Sequence, residues 1–507
     1  MAKYIFERTK YLNIIILLSI FFHLISINFY PTNFEGGYGE YADFFNSKDK
    51  LNYVKYYYST QFNSYLFSLF GSIINFLIPF LDSFQSIKIL SYSSYFFLGY
   101  GIYNLLKFYN YKDKTLIFLI VIFFNSIIWN YGYRSFNDLF VFSLAIFFFS
   151  RILLFHNTKY IYLDSIFIGI SVALKSYNLI FLFPILIFFY SLNSLKTKKI
   201  KYFFCFLLIL FPLFLLNFLT YKYLGFAFSP PNEDLKIAII GGDNSRNFLW
   251  VINNYIFYIG YITLISFPFV FIFFLNYCKK NFSYISIVLI FFAFISFFIQ
   301  DFFFISSELD FGPLQKYIPE YLYKSIIIFN FLFFFLVFYF FLKNKRLKKR
   351  KFINGLITLI IVLLYLFVLS FIKASQRYLI LPIPFLYIVF FYVVQPRILI
   401  YLTLMLYFFI NTLLLINYYI TSKSTEDILS FLKKKDILEA TIPGVMTPNV
   451  YHMYSINNSI KNLDKNKINI ETSQYIIANF EENSVFNSKV NFFGYEFKKY
   501  SVIRIKK

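Results

Sequence analysis

The chain has 507 residues, of which 59% are hydrophobic, 25% are aromatic and only 14% are charged. Soluble domains usually carry about 25% charged residues, so this composition disfavours an ordinary globular cytosolic enzyme. The formal net charge of +23 is typical of a membrane protein with cationic cytoplasmic loops, which explains the excess without nucleic acid as a partner. The two cysteines, Cys205 and Cys278, show neither a disulfide pattern nor metal-site spacing.

Long apolar runs recur along most of the chain. The first, residues 11–29, follows a short basic head, but it is too long for a signal peptide and lacks a small-residue cleavage site. A spanning helix needs roughly 20 apolar residues, and this criterion predicts about 13 spans. Residues 161–192 are either two short spans that meet at Lys175 or one bent element. The further runs lie at residues 85–107, 115–131, 138–155, 161–174, 177–192, 203–221, 249–275, 282–304, 324–342, 353–372, 378–394 and 398–419.

The charges of the intervening loops alternate when these spans are laid out in order. Loops assigned to the cytoplasmic side are rich in lysine and arginine, most clearly the run from Lys343 to Lys351. Loops assigned to the outer side carry acids such as Glu35, Glu233 and Glu308. Because positive residues stay inside, the N-terminus is predicted to be cytoplasmic and, with an odd number of spans, the C-terminus extracytoplasmic.

Two segments break the pattern of spanning helices. Residues 30–84 form a first outer loop, in which a stretch near Phe62–Leu81 is predicted to lie at the membrane interface. In the polar tail, Ser424 to Asp427 is typical of a helix start, and residues 498–506 alternate like a strand. The predicted fold is therefore an all-α polytopic transmembrane domain over residues 1–419, followed by a small α/β extracytoplasmic domain over residues 420–507.

Three acids on the predicted outer face are candidates for chemistry. Glu40 and Asp43 in the first outer loop would share one face of a helix. A carboxylate just above the bilayer can act as a general base, although a solvated acidic loop is the plain alternative. Asp138 begins a predicted span in the second outer turn, where it is either a functional acid or a complement to the helix dipole.

Two cations lie where the membrane makes charge costly. Lys175 stands alone between two apolar halves, and a charge at such depth is usually functional, with a snorkelling lysine as the alternative. Arg377 and Tyr378 open a late span, where an arginine suits a phosphate or serves as an interfacial anchor. The histidines show no metal-site spacing and are predicted to be structural: His23, His156 and His452.

In their order along the chain, these motifs resemble the GT-C superfamily of polytopic glycosyltransferases, near the branch of protein O-mannosyltransferases and lipid A aminoarabinose transferases. That family carries acids after its first span and in its second outer loop, an outer-loop helix, a small-Leu-Ala-x-Leu-Thr-Lys-like segment and a late Arg-Tyr-x-x-x-x-x-Pro element. The similar positions here are Gly39-Glu40 with Asp43, Asp138, Asn63-Ser64-Tyr65-Leu66, Ile170 to Lys175 and Arg377 to Pro384.

The resemblance implies an inverting transfer of a sugar from a polyprenyl-phosphate donor to an acceptor on the extracytoplasmic face. Glu40 would activate the acceptor as the base, with Asp43 as its substitute, and Asp138 would organise the site. The donor phosphate would be held by three residues of this chain: Lys175, Arg377 and Tyr378.

The resemblance leaves the cofactor and the acceptor open. A divalent cation, Mg²⁺ or Mn²⁺, is an optional cofactor that Glu40 and Asp138 would hold. Membrane lipids are expected partners, and the acceptor is a lipid, a glycan or a protein. The expected location is a bacterial inner (plasma) membrane.

Two other functions fit parts of the sequence. A transporter or flippase of lipid-linked saccharides would also need acidic and basic groups near the membrane. It should, however, carry polar residues deep in several spans. A large middle outer loop with arginine and histidine would favour a polysaccharide polymerase or ligase. Residues 222–248 contain Arg246 but no histidine, so this function ranks lower.

Overall fold

The structure, a computed structural model, describes most of the chain as helix. The described residues are 2–29, 66–109, 115–134, 136–155, 158–192, 199–224, 248–266, 270, 282–302, 318–343, 349–372, 375–391, 398–435, 440–441, 475–479, 484–492 and 494–504.

Fifteen α-helices lie in these ranges and are numbered in chain order. They are α1 (Ala2–Leu24), α2 (Leu66–Leu77), α3 (Ser83–Phe108), α4 (Thr115–Phe123), α5 (Ser126–Gly132), α6 (Asn137–Phe155), α7 (Tyr160–Leu174), α8 (Tyr177–Leu192), α9 (Lys199–Leu224), α10 (Phe248–Ile265), α11 (Phe282–Ile299), α12 (Glu320–Leu342), α13 (Lys349–Leu369), α14 (Pro382–Phe391) and α15 (Ile398–Lys434). Two 3-10 helices, Gln300–Phe302 and Gln376–Ile380, join them, and the strands are β1 (Ala440–Thr441), β2 (Tyr475–Asn479), β3 (Phe486–Phe492) and β4 (Tyr495–Arg504).

The apolar helices support a helical membrane protein. Five segments among the described residues are long and apolar enough to cross a membrane: Asn137–Phe155, Lys201–Tyr223, Phe248–Ile265, Glu320–Leu342 and Leu404–Ile428. Shorter apolar helices accompany them, including Tyr160–Leu174 and Ile353–Leu369. The figure of about 13 spans, which came from run length alone, stays a prediction.

The predicted span over residues 115–131 is wrong as a single helix. The chain forms α4 and α5 instead, with a break at Asn125. The side-chain oxygen of Asn125 accepts the backbone N–H of Ile127 at 3.1 Å, as a helix-capping asparagine does. Its amide nitrogen donates to the hydroxyl of Tyr387 at 2.8 Å. A polar side chain inside an apolar run therefore starts a new helix here.

The predicted helix start at Ser424 is also wrong, because α15 runs without a break from Ile398 to Lys434. The hydroxyl of Thr425 donates to the carbonyl of Thr421, one turn earlier, at 2.9 Å. Such back-bonding lets serine and threonine sit inside a helix rather than at its start. Lys423 and Glu426 add an ion pair of 2.5 Å along the same helix.

The late span that was predicted over residues 378–394 begins with the 3-10 helix Gln376–Ile380, and α14 follows from Pro382. Proline is favoured at the first helical position because it lacks the N–H that a helix start leaves unbonded. Residues 161–192, in contrast, form two separate helices, α7 and α8, with Lys175 between them. This was one of the two alternatives that the sequence allowed.

The chain divides into two compact units, and the larger comprises Met1–Ile16, Tyr95–Trp129 and Val141–Ile410. Glycines permit close helix packing in this unit. A Cβ added at Gly260 in α10 would lie 2.2 Å from the carbonyl oxygen of Ile327 in α12. A Cβ at Gly169 in α7 would lie 2.6 Å from the carbonyl oxygen of Ile209 in α9. Small residues at such crossings are typical of membrane helices.

The second unit comprises Leu17–Ser94, Asn130–Phe140 and Asn411–Lys507. Its sheet has the strand order β1-β2-β4-β3, with β1 parallel to β2 and the other pairs antiparallel. The end of α15 packs on this sheet, since Phe431 stacks on Phe486 with ring centroids 4.4 Å apart. Strand β4 confirms the strand predicted over residues 498–506 as far as Arg504, and residues 505–506 lie outside the described residues.

Helix α2 lies inside the stretch predicted to be interfacial, in the same unit. It buries Phe67, Ser68, Gly71 and Ser72 on one face, and the ring of Phe67 lies 5.8 Å from that of Phe140. Phe76 and Leu77 on the other face are exposed. This helix therefore turns its small residues inward and exposes apolar side chains, and its place at the membrane interface stays a prediction.

Candidate functional site

The junction between α7 and α8 places a lysine inside the larger unit. Lys175 ends α7 in an extended conformation, and its backbone N–H donates to the carbonyl of Ser171 at 2.9 Å. The same carbonyl accepts the side-chain amide of Asn178, from the first turn of α8, at 3.0 Å. This shared carbonyl fixes the two helix ends together. The lysine side chain between them is only 7% exposed.

Lys175 and Arg377 lie beside the same tyrosine. The ammonium of Lys175 is 5.5 Å from the ring centroid of Tyr378 and 5.7 Å from that of Phe142. The guanidinium carbon of Arg377 is 5.4 Å from the centroid of the Tyr378 ring. All three distances are within the range of cation–π attraction. We call Lys175, Arg377 and Tyr378 the Tyr378 cluster.

Neighbouring helices hold the segment that carries Arg377. The hydroxyl of Tyr258, in α10, accepts the backbone N–H of Ser375 at 3.0 Å. The hydroxyl of Tyr365, in α13, donates to the carbonyl of Tyr378 at 3.3 Å. The amide of Asn254 donates to the carbonyls of Ser370 at 3.0 Å and Ile372 at 3.2 Å. These bonds fix the segment that carries Arg377 to neighbouring helices. A binding site supported by helices is held more precisely than one on a loop.

Two cations at one aromatic ring form a suitable site for an oxyanion. The guanidinium can make paired hydrogen bonds to phosphate, and the ammonium adds a compact charge with rotatable donors. The Tyr378 cluster therefore brings together three of the residues that the sequence predicted as a phosphate site.

A second basic group lies in the other unit. Lys88 of α3 is fully buried, and its ammonium donates to the carbonyl of Ser26 at 2.6 Å and to that of Phe29. The hydroxyl of Ser26 lies 3.0 Å from that of Tyr92 and donates to the carbonyl of Tyr133 at 3.2 Å. Lys88 thus holds the turn that follows α1 and leads into the first outer loop.

Arg134 accompanies Lys88 in this unit. The Arg134 guanidinium carbon lies 4.7 Å from the Phe136 ring centroid and 5.9 Å from that of Tyr418, and the Lys88 ammonium lies 5.8 Å from the same Tyr418 ring. The Tyr133 ring stacks on His23, with centroids 6.1 Å apart. We call Lys88, Arg134 and Tyr418 the Tyr418 cluster.

The predicted acids have different outcomes. Glu40 and Asp43 lie outside the described residues, so their role as base stays a prediction. Asp138 is fully buried in the first turn of α6, within the smaller unit. Within the described ranges, no group of three or more histidine, cysteine, aspartate and glutamate side chains could hold a metal ion. The optional cation depends on Glu40, which lies outside the described residues.

The sequence interpretation missed Lys88 and gave Arg134 no role. Lys88 sits near the start of an apolar run, so it resembles one of the flanking lysines that anchor spans at the interface. The position of Lys88 could have indicated a buried role. It lies five residues after the start of α3, and serines follow it in the helix, whereas an anchoring lysine usually belongs to a basic loop. His23 bonds within its own helix, since its Nδ1–H donates to the carbonyl of Ser19 at 2.6 Å.

Comparisons with protein families, with curated proteins and with solved structures find no match to this chain. The apolar helices therefore remain the support for a helical membrane protein.

Proposed function

We propose that the protein is a membrane glycosyltransferase that moves a sugar from a polyprenyl-phosphate donor to an acceptor on the extracytoplasmic face. The observation that carries this proposal is the Tyr378 cluster, in which Lys175 and Arg377 lie 5.5 and 5.4 Å from one ring. A lipid-linked donor reaches such a site from the bilayer, and this explains why the cations sit among apolar helices.

The charge change of the reaction favours two cations. The donor is a phosphodiester with one negative charge, and the leaving polyprenyl phosphate carries up to two. Interactions that strengthen as this charge develops lower the barrier, whereas equal binding of donor and transition state does not. Lys175 and Arg377 would therefore contribute more to the transition state than to donor binding.

The glycosyl transfer needs neither an oxidant nor a reductant. The acceptor oxygen or nitrogen attacks the anomeric carbon, the bond from that carbon to the phosphate oxygen breaks, and the configuration inverts. The acceptor proton passes to a base, for which Glu40 is the candidate and Asp43 the substitute. The bonding electrons leave with the phosphate, beside Lys175 and Arg377. Asp138 would organise the acceptor side.

The test is turnover by purified protein in lipid. A panel of polyprenyl-phosphate sugars is supplied with a crude acceptor extract, and the release of polyprenyl phosphate is measured. Lys175→Met is compared with wild type, and Lys324→Met is the matched control because Lys324 pairs with Glu320 on α12 at 2.9 Å. We expect Lys175→Met to lower turnover by about 100-fold, as loss of a charge-stabilising donor does, and the control to keep wild-type turnover.

The outcomes separate the candidate functions. Release that depends on Lys175 supports the transferase and names its donor. No release from any donor by folded protein removes the transferase and favours a transporter or flippase. Buried asparagines in the apolar helices are the residues that transport would use, yet Asn254 and Asn330 donate to nearby backbone carbonyls. That bonding is structural and gives transport no separate support.

A further inference from the structure

A basic cluster lies in the larger unit where α3 and α6 end. Lys107 is in the last turn of α3, and Arg151 lies one turn before the end of α6. The ammonium of Lys107 is 5.9 Å from the ring centroid of Phe155, and the guanidinium carbon of Arg151 is 6.0 Å from the same centroid. Phe155 is 38% exposed, so the ring is accessible from outside the helices. We call Lys107, Arg151 and Phe155 the Phe155 cluster.

Arg151 keeps donors that its ion pair does not use. Its Nε donates to Oδ1 of Asp164 at 2.9 Å, and its side chain is 30% exposed. Neither Nη1 nor Nη2 donates a hydrogen bond to any of the described residues, and Lys107 has no hydrogen bond or ion pair within the same ranges. Asp164 therefore compensates the charge of Arg151 without occupying the two terminal nitrogens, which form the planar fork that binds oxyanions.

The surroundings of the Phe155 cluster are those of a helix end at a membrane boundary. The hydroxyl of Thr158 donates to the carbonyl of Phe155 at 2.9 Å, and the ammonium of Lys201, near the start of α9, donates to the carbonyl of Thr158 at 3.2 Å. Tyr160, the first residue of α7, is 63% exposed. Exposed tyrosines with lysine and arginine at helix ends are typical of the headgroup level of a bilayer. In the predicted orientation this end faces the cytoplasm, where the lipid surface is negative.

We propose that the Phe155 cluster binds the phosphate of an anionic phospholipid. The terminal nitrogens of Arg151 can make paired hydrogen bonds to the phosphate, and the ammonium of Lys107 adds a charge that no acid among the described residues compensates. The exposed ring of Phe155 is an apolar surface for the lipid below its headgroup. A zwitterionic phospholipid carries its own cation, which Lys107 and Arg151 would repel. This inference rests on the membrane-spanning helices and not on the proposed function.

The experiment counts lipids bound to the full chain by native mass spectrometry, with the protein released from maltoside micelles. Phosphatidylglycerol and phosphatidylcholine are titrated separately, and we expect the wild type to retain phosphatidylglycerol more tightly. Lys107→Met should weaken the binding of one phosphatidylglycerol about fivefold, as loss of one basic residue near a lipid surface does. Any phosphatidylglycerol held at the Tyr378 cluster should be unaffected, because Lys107 has no contact with that cluster.

Two further variants separate a specific site from general attraction. Arg151→Met/Asp164→Leu removes the guanidinium together with its acid, so no buried carboxylate is left alone, and it should weaken binding at least about tenfold. Lys343→Met is the matched control. Lys343 ends α12 with its ammonium 4.5 Å from the ring of Tyr339, so it is a lysine beside an exposed ring at another helix end. Thermal unfolding checks that each variant is folded.

Each outcome gives a decision. Preference for phosphatidylglycerol that falls in Lys107→Met but not in Lys343→Met supports the site. If Lys343→Met weakens binding as much, the attraction is general and the inference is overturned. Equal binding of phosphatidylcholine, or wild-type affinity in Lys107→Met, would show that these cations only anchor the helix ends and would also overturn it. Displacement of the lipid by an excess of inorganic phosphate would reassign the cluster to free phosphate, against the lipid proposed here.

Discussion

The ammonium of Lys175 lies 5.5 Å from the ring centroid of Tyr378, although 203 positions separate the two residues along the chain. Tyr378 is buried, and its ring also faces the guanidinium of Arg377 at 5.4 Å. The ring of Tyr378 therefore lies within reach of both cations. Cation–π attraction of about 0.5 to 2 kcal/mol offsets part of their repulsion.

The ring rather than the hydroxyl of Tyr378 should matter for donor use. Tyr378→Phe keeps the ring, and we expect it to change kcat/KM for the donor by less than about twofold. Tyr378→Leu removes the ring and should lower that kcat/KM by about 2- to 30-fold, which corresponds to the cation–π energy. Steady-state kinetics with the donor found in the turnover panel gives both values. Equal kinetics for the two variants would show that the ring does not hold the cations.

The sequence identified the partners of this cluster but not their geometry. A lone lysine between apolar halves and an arginine at a span boundary are unusual enough to be noticed individually. The position of the segment that carries Arg377 depends on hydrogen bonds with Tyr258 and Tyr365. In the sequence these two look like ordinary aromatic residues of a chain with 47 tyrosines. Asn125 shows the same difficulty, because one polar residue in an apolar run does not reveal whether it caps a helix. Lys88 was missed because its backbone partners have no sequence signature.

Span lengths were easier to predict than helix ends. Apolar runs located α6, α8 and α12 to within a few residues, since hydrophobic burial sets both the pattern and the helix. The C-terminal end of α15 could not be predicted from an apolar run. Its polar last turns pack against the sheet through Phe431, and tertiary contacts override the local capping signal there.

The hydroxyl of Tyr258 should position the Arg377 segment. It accepts the backbone N–H of Ser375 at 3.0 Å in a buried setting, and Tyr258→Phe leaves that donor unsatisfied at a cost of about 1 to 3 kcal/mol. We expect kcat/KM for the donor to fall several-fold while the protein stays folded. Tyr255→Phe, on the same helix, is the matched control because its ring packs on Phe367 at 5.7 Å. A similar kcat/KM for both variants would remove Tyr258 from this positioning role.

The ion pair between Arg151 and Asp164 should stabilise the packing of α6 on α7. The Nε of Arg151 lies 2.9 Å from the Asp164 carboxylate, whose side chain is 2% exposed while that of Arg151 is 30% exposed. Arg151→Met leaves a buried carboxylate without its partner and should lower the free energy of unfolding by about 2 to 3 kcal/mol. The double variant Arg151→Met/Asp164→Leu should recover most of this loss. Unfolding in SDS measures both, and a double variant less stable than Arg151→Met would contradict the prediction.

The close approach of α10 to α12 at Gly260 allows a test of the fold itself. A methyl group there would lie 2.2 Å from the carbonyl oxygen of Ile327, and backbone cannot move aside as a side chain can. Gly260→Ala should therefore separate α10 from α12 and cost about 1 to 3 kcal/mol through overpacking, despite the higher helix propensity of alanine.

Gly355→Ala in α13 is the matched control. The nearest atom to its added Cβ is the ring end of Phe341 at 3.1 Å, which can shift by a few tenths of an ångström. Alanine gains up to about 1 kcal/mol over glycine in a helix, so this variant should be neutral or more stable. Thermal unfolding in micelles compares the two. Equal stability of both variants would mean that α10 and α12 do not approach as closely as the carbonyl of Ile327 indicates.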